Sequence, residues 1–355
     1  MEDQNNPIDN NDFDPQELPM ENSNSTETPS IEAQPLSSGL DMSFIKSIVD
    51  RTRSEVQKVI IGQDEILDQL MVAFFSGGHV LLEGTPGVAK TLIVKMLAKS
   101  FSINFGRIQF TPDLMPTDVI GVTVFNMKDS SFEFKKGPIF SNFILIDEIN
   151  RAPAKTQAAL FEVMEENQVT TDGQQYKIDF PLFIIATQNP IEQEGTYKLP
   201  EAQLDRFLLK LNIKYPSLED EFQILKRYQS DFSQKTENDV NTVCSVEDLK
   251  KCTEIIEKVH INEELLRYIA KIIDGTRNNG DLFLGGSPRA SLALMKTSKA
   301  MAAIKGRDFV TPDDIRDVSV AVLNHRLILS PEREMEGVTI DEVIADIIEN
   351  IEVPR

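Results

Sequence analysis

The chain has 355 residues, 41% of them hydrophobic, and a formal charge of −21 at neutral pH. That length allows two folded units or one with a long appendage, and so negative a field weighs against a bare phosphate backbone as partner. Cys244 and Cys252, the only cysteines, exclude a disulfide framework or a cysteine zinc site, and His79, His260 and His325 stand at no metal-ligand spacing. No stretch has the unbroken apolar length of a membrane-spanning helix, and the acidic N-terminus is unlike a signal peptide, so a cytoplasmic protein is expected.

Residues 1–41 hold ten acids, no lysine or arginine, and Phe13 as their single aromatic. Such a segment cannot bury enough apolar surface to offset its ordering entropy, which predicts a disordered acidic tail. From Ser43 to Lys58 apolar residues recur at helical spacing. Ile60-Ile61-Gly62-Gln63 breaks that helix, and a second one is predicted from Asp64 to Phe75.

Val80-Leu81-Leu82 reads as a buried strand, Gly84-Thr85-Pro86-Gly87 as a tight turn, and the chain turns helical from Lys90. Strand, glycine turn and helix together aim backbone N–H groups at a phosphate chain. Lys90 would reach the β- and γ-phosphates, and the Thr91 hydroxyl would hold Mg²⁺. Ala89 stands where G-x-x-x-x-G-K-T has its second glycine. An alanine is tolerable there if its φ is negative and near-helical, since the Cβ penalty applies at positive φ. The competing reading is an ordinary strand–helix turn.

Ile108-Gln109-Phe110 predicts a short strand, and the alternation from Thr117 to Gly137 predicts an inserted hairpin. Phe143–Ile146 is a second buried strand ending in Asp147-Glu148, where open α/β sheets bind ligands. Asp147 can hold Mg²⁺ and Glu148 can polarise a water; alternatively the pair caps the helix beginning near Pro153. A helix over Ala154–Glu166 is followed by a second hairpin around Asp172-Gly173. Leu182–Ile185 predicts a third buried strand, ending in Gln188-Asn189-Pro190. Asn189 could orient the attacking water, or merely make an Asn–Pro turn. Arg206 precedes a strand over Leu208–Ile213. It pairs with Asp205 or Glu201 on the surface, or serves as an arginine finger for a neighbour's nucleotide.

Residues 231–245 are polar and read as a linker. Beyond them the spacing predicts helices near 247–259, 263–278, 288–304 and 312–324, several opened by capping residues, with Leu292 and Met295 as core. Arg289 in a helical first turn opposes the helix dipole, which suggests a task such as meeting a phosphate. Isoleucines and Val343 between Ile340 and Ile351 mark an amphipathic terminal helix.

EGTPGVAKT, RIQFTPDLMPTDVIG, LIDEINRAPAKTQAALFEVMEE, IIATQNP, LPEAQLDRF and GGSPRA follow one another in an order that resembles the MoxR family of AAA+ ATPases. The resemblance spans roughly Ile45 to Leu329, and Ala89 is the usual residue of that family. It implies an α/β P-loop AAA+ core, a parallel sheet between helices with two β-hairpin insertions, over 42–230. A helical lid over 246–335 and a terminal helix over 336–355 follow. It assigns Gly84, Thr85, Pro86, Gly87, Val88, Ala89, Lys90, Thr91 and Leu92 to the phosphate loop, and Ile61, Gly62 and Gln63 to the adenine pocket. Asp147 and Glu148 become the Walker B acids, Asn189 the first sensor, Arg289 the second sensor meeting its own subunit's phosphate, and Arg206 the finger in trans. ATP and Mg²⁺ are the implied ligands. A homo-oligomer, most simply a hexameric ring, is the implied assembly, with a von Willebrand factor A-domain protein and a protein client as partners. The implied work is chaperone-like remodelling in metal or cofactor insertion. Two other readings stand beside it: a nucleic-acid-acting relative of the helicase-related clade, and a nucleotide-gated binding module without turnover.

Overall fold

The structure, a computed structural model, describes residues 41–85, 87–189, 197–229 and 239–354. The predicted acidic tail therefore lies, but for Asp41, outside the described residues, as do Pro86, Pro190 and the linker residues 231–238.

Helices α1 (Met42–Gln57) and α2 (Asp64–Phe75) lead into β1 (Val80–Gly84) and α3 (Lys90–Ser100). The Asp41 carboxylate caps α1 by accepting the Ser43 N–H at 3.1 Å, and Ile45, Ile48, Val49 and Val56 form its buried stripe. Strand β2 (Phe105–Gln109) and the short α4 (Pro116–Ile120) precede the first hairpin, β3 (Gly121–Asn126) with β4 (Ser131–Lys136). Then come β5 (Phe143–Asp147), α5 (Ala154–Glu166) and the second hairpin, β6 (Gln168–Thr171) with β7 (Gln174–Lys177). Its turn uses Asp172 and Gly173 at φ +50° and +73°, the left-handed pair that an Asp-Gly hairpin requires. The chain continues through β8 (Phe183–Gln188), α6 (Glu201–Leu204), β9 (Leu209–Ile213) and α7 (Leu218–Tyr228).

Strands β2, β5, β8, β1 and β9 form one parallel sheet in that spatial order. Both faces are covered, so β5 and β8 read as continuous apolar runs rather than alternating ones. Side chains still alternate between the faces. Leu82, Leu145 and Ile185 join the layer of α1, α2 and α3, whereas Leu81, Ile146 and Ile184 join the layer of α5 and α4. The two hairpins meet through Phe134 stacked on Tyr176, ring centroids 4.4 Å apart, and a Thr123 hydroxyl donating to Asp172 at 2.5 Å.

Helices α8 (Val246–Glu257), α9 (Glu263–Arg277), strand β10 (Leu282–Leu284), α10 (Pro288–Ile304), α11 (Pro312–Leu323), β11 (Ile328–Leu329), α12 (Pro331–Met335) and α13 (Ile340–Glu349) complete the described chain. The small β10–β11 ribbon was not announced by the helical spacing, because two or three residues are too short to carry a period. Helix α13 buries Val343, Ile344, Ile347 and Ile348 against α9 and α11. The lid shares a single apolar cluster with α1 and α2, against which α10 packs. That contact puts the lid behind the core, and it decides where Arg289 falls.

Candidate active site

β8 lies between β1 and β5, with Leu82 opposite Thr187 and Ala186 opposite Ile146. The carboxyl ends of these three strands thus bring the phosphate loop, Asp147-Glu148 and Asn189 to one edge of the sheet, the edge where α/β folds bind ligands.

In the loop, Gly87 takes φ +89°, with nothing within 4 Å of where a Cβ would sit, so its glycine answers a backbone demand and not a lack of space. Ala89 does not meet the condition under which alanine is free of strain: its φ is +59°, left-handed, immediately before the first helical residue, Lys90. The turn into α3 uses a left-handed residue here, and alanine bears the strain, about 1–2 kcal/mol. Val88 is buried, and Thr85, Thr91 and Leu92 are half-buried around it.

Lys90 Nζ donates to the Gly84 carbonyl at 2.7 Å. Burial pushes its ammonium below the ordinary lysine range, opposed by the charges of Asp147, Glu148 and Glu83. A half-buried cation in a cradle of backbone turns fits a phosphate chain. The hydroxyl of Thr91 and the carboxylate of Asp147 are the hard oxygen donors that Mg²⁺ takes.

The two acids are held by residues the sequence reading left without a role. Asp147 is buried; it accepts from Arg107 Nε at 2.6 Å and from the Thr187 hydroxyl at 3.2 Å. Glu148 sits at φ +58°, a strained conformation for a side-chain-bearing residue, fixed by its N–H donating to the Thr187 hydroxyl at 3.0 Å. Its carboxylate accepts from Gln109 Nε2 at 3.2 Å and pairs with Arg151 Nε at 2.7 Å. Neither acid caps α5, whose N-cap is Pro153, so the capping alternative is set aside. Asn189 is buried at the end of β8. Thr187 was detectable as a polar residue closing an apolar strand.

Ile61 and Gly62 line a cavity of about 510 Å³ together with Ile60, Gln223, Lys226 and Arg227. Gln63 turns away, donating to the Lys214 carbonyl at 3.1 Å. The far wall is α7, which the sequence reading missed although Ser217-x-x-Asp220 is a capping box and both its hydrogen bonds form.

Arg206 and Arg289 occupy the opposite end. They line a cavity of about 250 Å³ with Ser76 to His79, which precede β1, so the length of β1, about 16 Å, separates them from Lys90. Arg206 pairs with neither Asp205 nor Glu201. Its Nη1 lies 2.8 Å from Glu165 Oε2 and donates to the Phe161 carbonyl at 2.9 Å. Arg289 Nη2 lies 2.8 Å from the other oxygen of the same carboxylate. Arg289, expected to meet its own subunit's phosphate, lies at the end of the sheet away from that loop, because α10 packs on α1 and α2. Leu292, expected in the core, is 55% exposed and lines this cavity.

Among known proteins, the sequence profile of the ATPase family associated with various cellular activities (AAA) matches residues 79–209, and that of the AAA lid domain matches 274–347. YeaC of Bacillus subtilis is 42% identical over 86% of this chain and 95% of its own length. Chaperone MoxR1 of Mycobacterium tuberculosis is 40% identical over 86% and 82%. A crystal structure from Cytophaga hutchinsonii, named as a candidate ATPase, superposes with a TM-score of 0.82 at 41% identity, covering 89% of this chain and 97% of that one.

Proposed function

This chain belongs to the MoxR family of AAA+ ATPases, and from that we propose that it hydrolyses Mg-ATP within a homo-oligomeric ring and uses the cycle to remodel a protein client. The observation that carries the reading is the separation of the catalytic groups. The phosphate loop, Asp147, Glu148 and Asn189 share one end of the sheet, while Arg206 and Arg289 point out from the other. Neither set is complete alone, and a neighbouring copy presenting its arginines to the loop completes both.

In that arrangement Lys90 and the loop backbone bind the phosphates, and Ile61, Gly62 and α7 enclose the base. Bound Mg²⁺, held by Thr91 and Asp147, supplies neutralisation of charge on the β- and γ-phosphates. Glu148 takes the proton of the attacking water, and Asn189 orients that water. Arg206 of one subunit, with Arg289 beside it, stabilises the charge developing at the next subunit's phosphate.

A ring built this way uses a head-to-tail interface whose rotation closes, six copies being the simplest case. The naming of the Mycobacterium tuberculosis relative as a chaperone supports the protein client. A von Willebrand factor A-domain partner and metal or cofactor insertion belong to the same proposal, as does a cytoplasmic setting, since no described helix is long and apolar enough to cross a membrane. A nucleic-acid substrate is disfavoured by the charge of −21.

The test is complementation in mixed assemblies. Arg206→Ala and Lys90→Ala should each be nearly inactive in steady-state phosphate release, and mixing them should restore activity at interfaces that keep both an intact loop and an intact finger. A mixture that stays dead while both variants assemble, or a strict monomer turning over at full rate, refutes the reading.

A further inference from the structure

Arg206 is carried by a segment that the lid grips on both sides. Asn324, His325 and Arg326 follow α11, and the two charged or titratable members, His325 and Arg326, are buried. A buried guanidinium requires a partner for its charge and for each N–H. Arg326 finds them almost entirely in residues 205–208: Nε donates to Asp205 Oδ1 at 2.7 Å, Nη2 to the Phe207 carbonyl at 2.7 Å, and Nη1 to the Leu208 carbonyl at 3.0 Å. Nη1 also donates to the Val322 carbonyl one turn back, tying the group to its own helix.

Three more bonds converge on the same segment. His325 Nε2 donates to the Phe207 carbonyl at 2.9 Å, and Asn324 Nδ2 to the Lys210 carbonyl at 3.2 Å. The Ser287 hydroxyl donates to the second oxygen of Asp205 at 3.1 Å. Ser287 is the N-cap of α10, yet its side chain makes no cap bond to that helix; it is turned to Asp205 instead. Arg289, two residues on, shares Glu165 with Arg206. The lid thus holds the residues on both sides of Arg206, and the same helix that grips Asp205 carries the second arginine.

We propose that Asp205, Arg326 and Ser287 are positioning residues that lock Arg206 to the lid of its own subunit, so that the lid and both outward arginines move as one body and act on the neighbour's ATP. The inference rests on the trans reading of Arg206 given above. It assigns the Asp205–Arg326 pair an effect on a site in another subunit, which a merely structural ion pair would not have.

The experiment compares Asp205→Asn and Ser287→Ala, each alone and mixed with Lys90→Ala, by steady-state phosphate release against ATP concentration. Ser287→Ala removes one hydroxyl and no helix cap, so it reports even where Asp205→Asn fails to fold. Each variant alone should lose kcat, about ten- to a hundredfold for Asp205→Asn and less for Ser287→Ala, with KM for ATP within a factor of about three. Mixing with Lys90→Ala should restore kcat per intact loop, because the variant's own loop then faces an undisturbed finger. Failure to restore either variant, in the same preparation where the Arg206→Ala mixture recovers, overturns the lock and leaves the trans finger standing. A rise in KM at unchanged kcat also overturns it. If the Arg206→Ala mixture itself does not recover, the trans finger falls and the lock with it.

Discussion

The two ends of the central sheet are built in different ways. At the carboxyl ends of the strands, each functional group belongs to a short contiguous motif: Gly84 to Thr91, Asp147-Glu148, and Asn189. At the opposite end, Glu165, Asp205-Arg206, Ser287 to Arg289 and Asn324 to Arg326 come from four distant segments and meet only through packing. On the proposed reading, the first end uses backbone geometry to hold phosphate. The second uses charged side chains tied to one another, with the lid as their scaffold. On the proposed reading, a site split like this makes turnover depend on assembly, because an isolated subunit has the loop and the two arginines at opposite ends of the sheet.

The comparison can be broken most severely at the motif end. Glu148→Gln should lower turnover by about 10²- to 10⁴-fold, the range for losing a general base, while nucleotide binding measured by a fluorescent ATP analogue persists. Retained wild-type turnover would remove Glu148 from the reaction and leave its φ of +58° without a purpose.

Acid should loosen the finger end before the loop end. His79 is fully buried, accepts the Ile184 N–H and is held down to about 4 by that burial; His325 lies well below its ordinary value for the same reason, helped by Arg326. A depressed base is neutral in the fold and protonates more readily once released. Its stabilisation is therefore complete above the unfolded value near 6.5 and declines as pH falls toward 4, by about 1.4 kcal/mol per unit for each such histidine at the steepest. Both histidines touch the finger segment, since Leu208 N–H donates to the His79 carbonyl at 2.8 Å. Between pH 7 and 5, hydrogen-exchange protection corrected for the intrinsic pH dependence of amide exchange should fall first at residues 205–210, and uniform loosening of both ends would contradict this account.

A milder break is Glu165→Gln. The two arginines lose their shared carboxylate while Arg206 keeps its bond to the Phe161 carbonyl, so kcat should fall about three- to tenfold with assembly and KM unchanged. Size-exclusion profiles matched to wild type would show that the ring survives. The smallest effect is expected at Ala89→Gly. Relief of left-handed strain is offset by the greater freedom of glycine in the unfolded chain, so the denaturation midpoint should rise by no more than the equivalent of about 1 kcal/mol. A loss of stability there would mean that the Ala89 methyl packs usefully.

The sequence by itself determined whatever depends on local pattern. The apolar runs of β1, β5 and β8, the Asp-Gly hairpin turn, the Ser245-x-x-Asp248 and Thr311-x-x-Asp314 capping boxes and the extent of α2 were all legible, because strand burial, turn φ and helix caps are set within a few residues. The loop and the acid pair, picked out by fixed short spacing, lie together at one edge of the sheet. Helix α7 is equally available from its capping box, whereas the left-handed φ of Ala89 is not, since one side chain does not reveal which backbone well the surrounding turn imposes. What only the tertiary structure decided was the partner of each charge. Arg206 pairs with Glu165, 41 residues upstream, over its neighbours Asp205 and Glu201; Asp205 is already taken by Arg326, 121 residues downstream. Arg289 falls away from its own subunit's loop because α10 buries its apolar face on α1 and α2, and that choice of packing surface comes from complementary shape across the whole core, which no window of sequence contains.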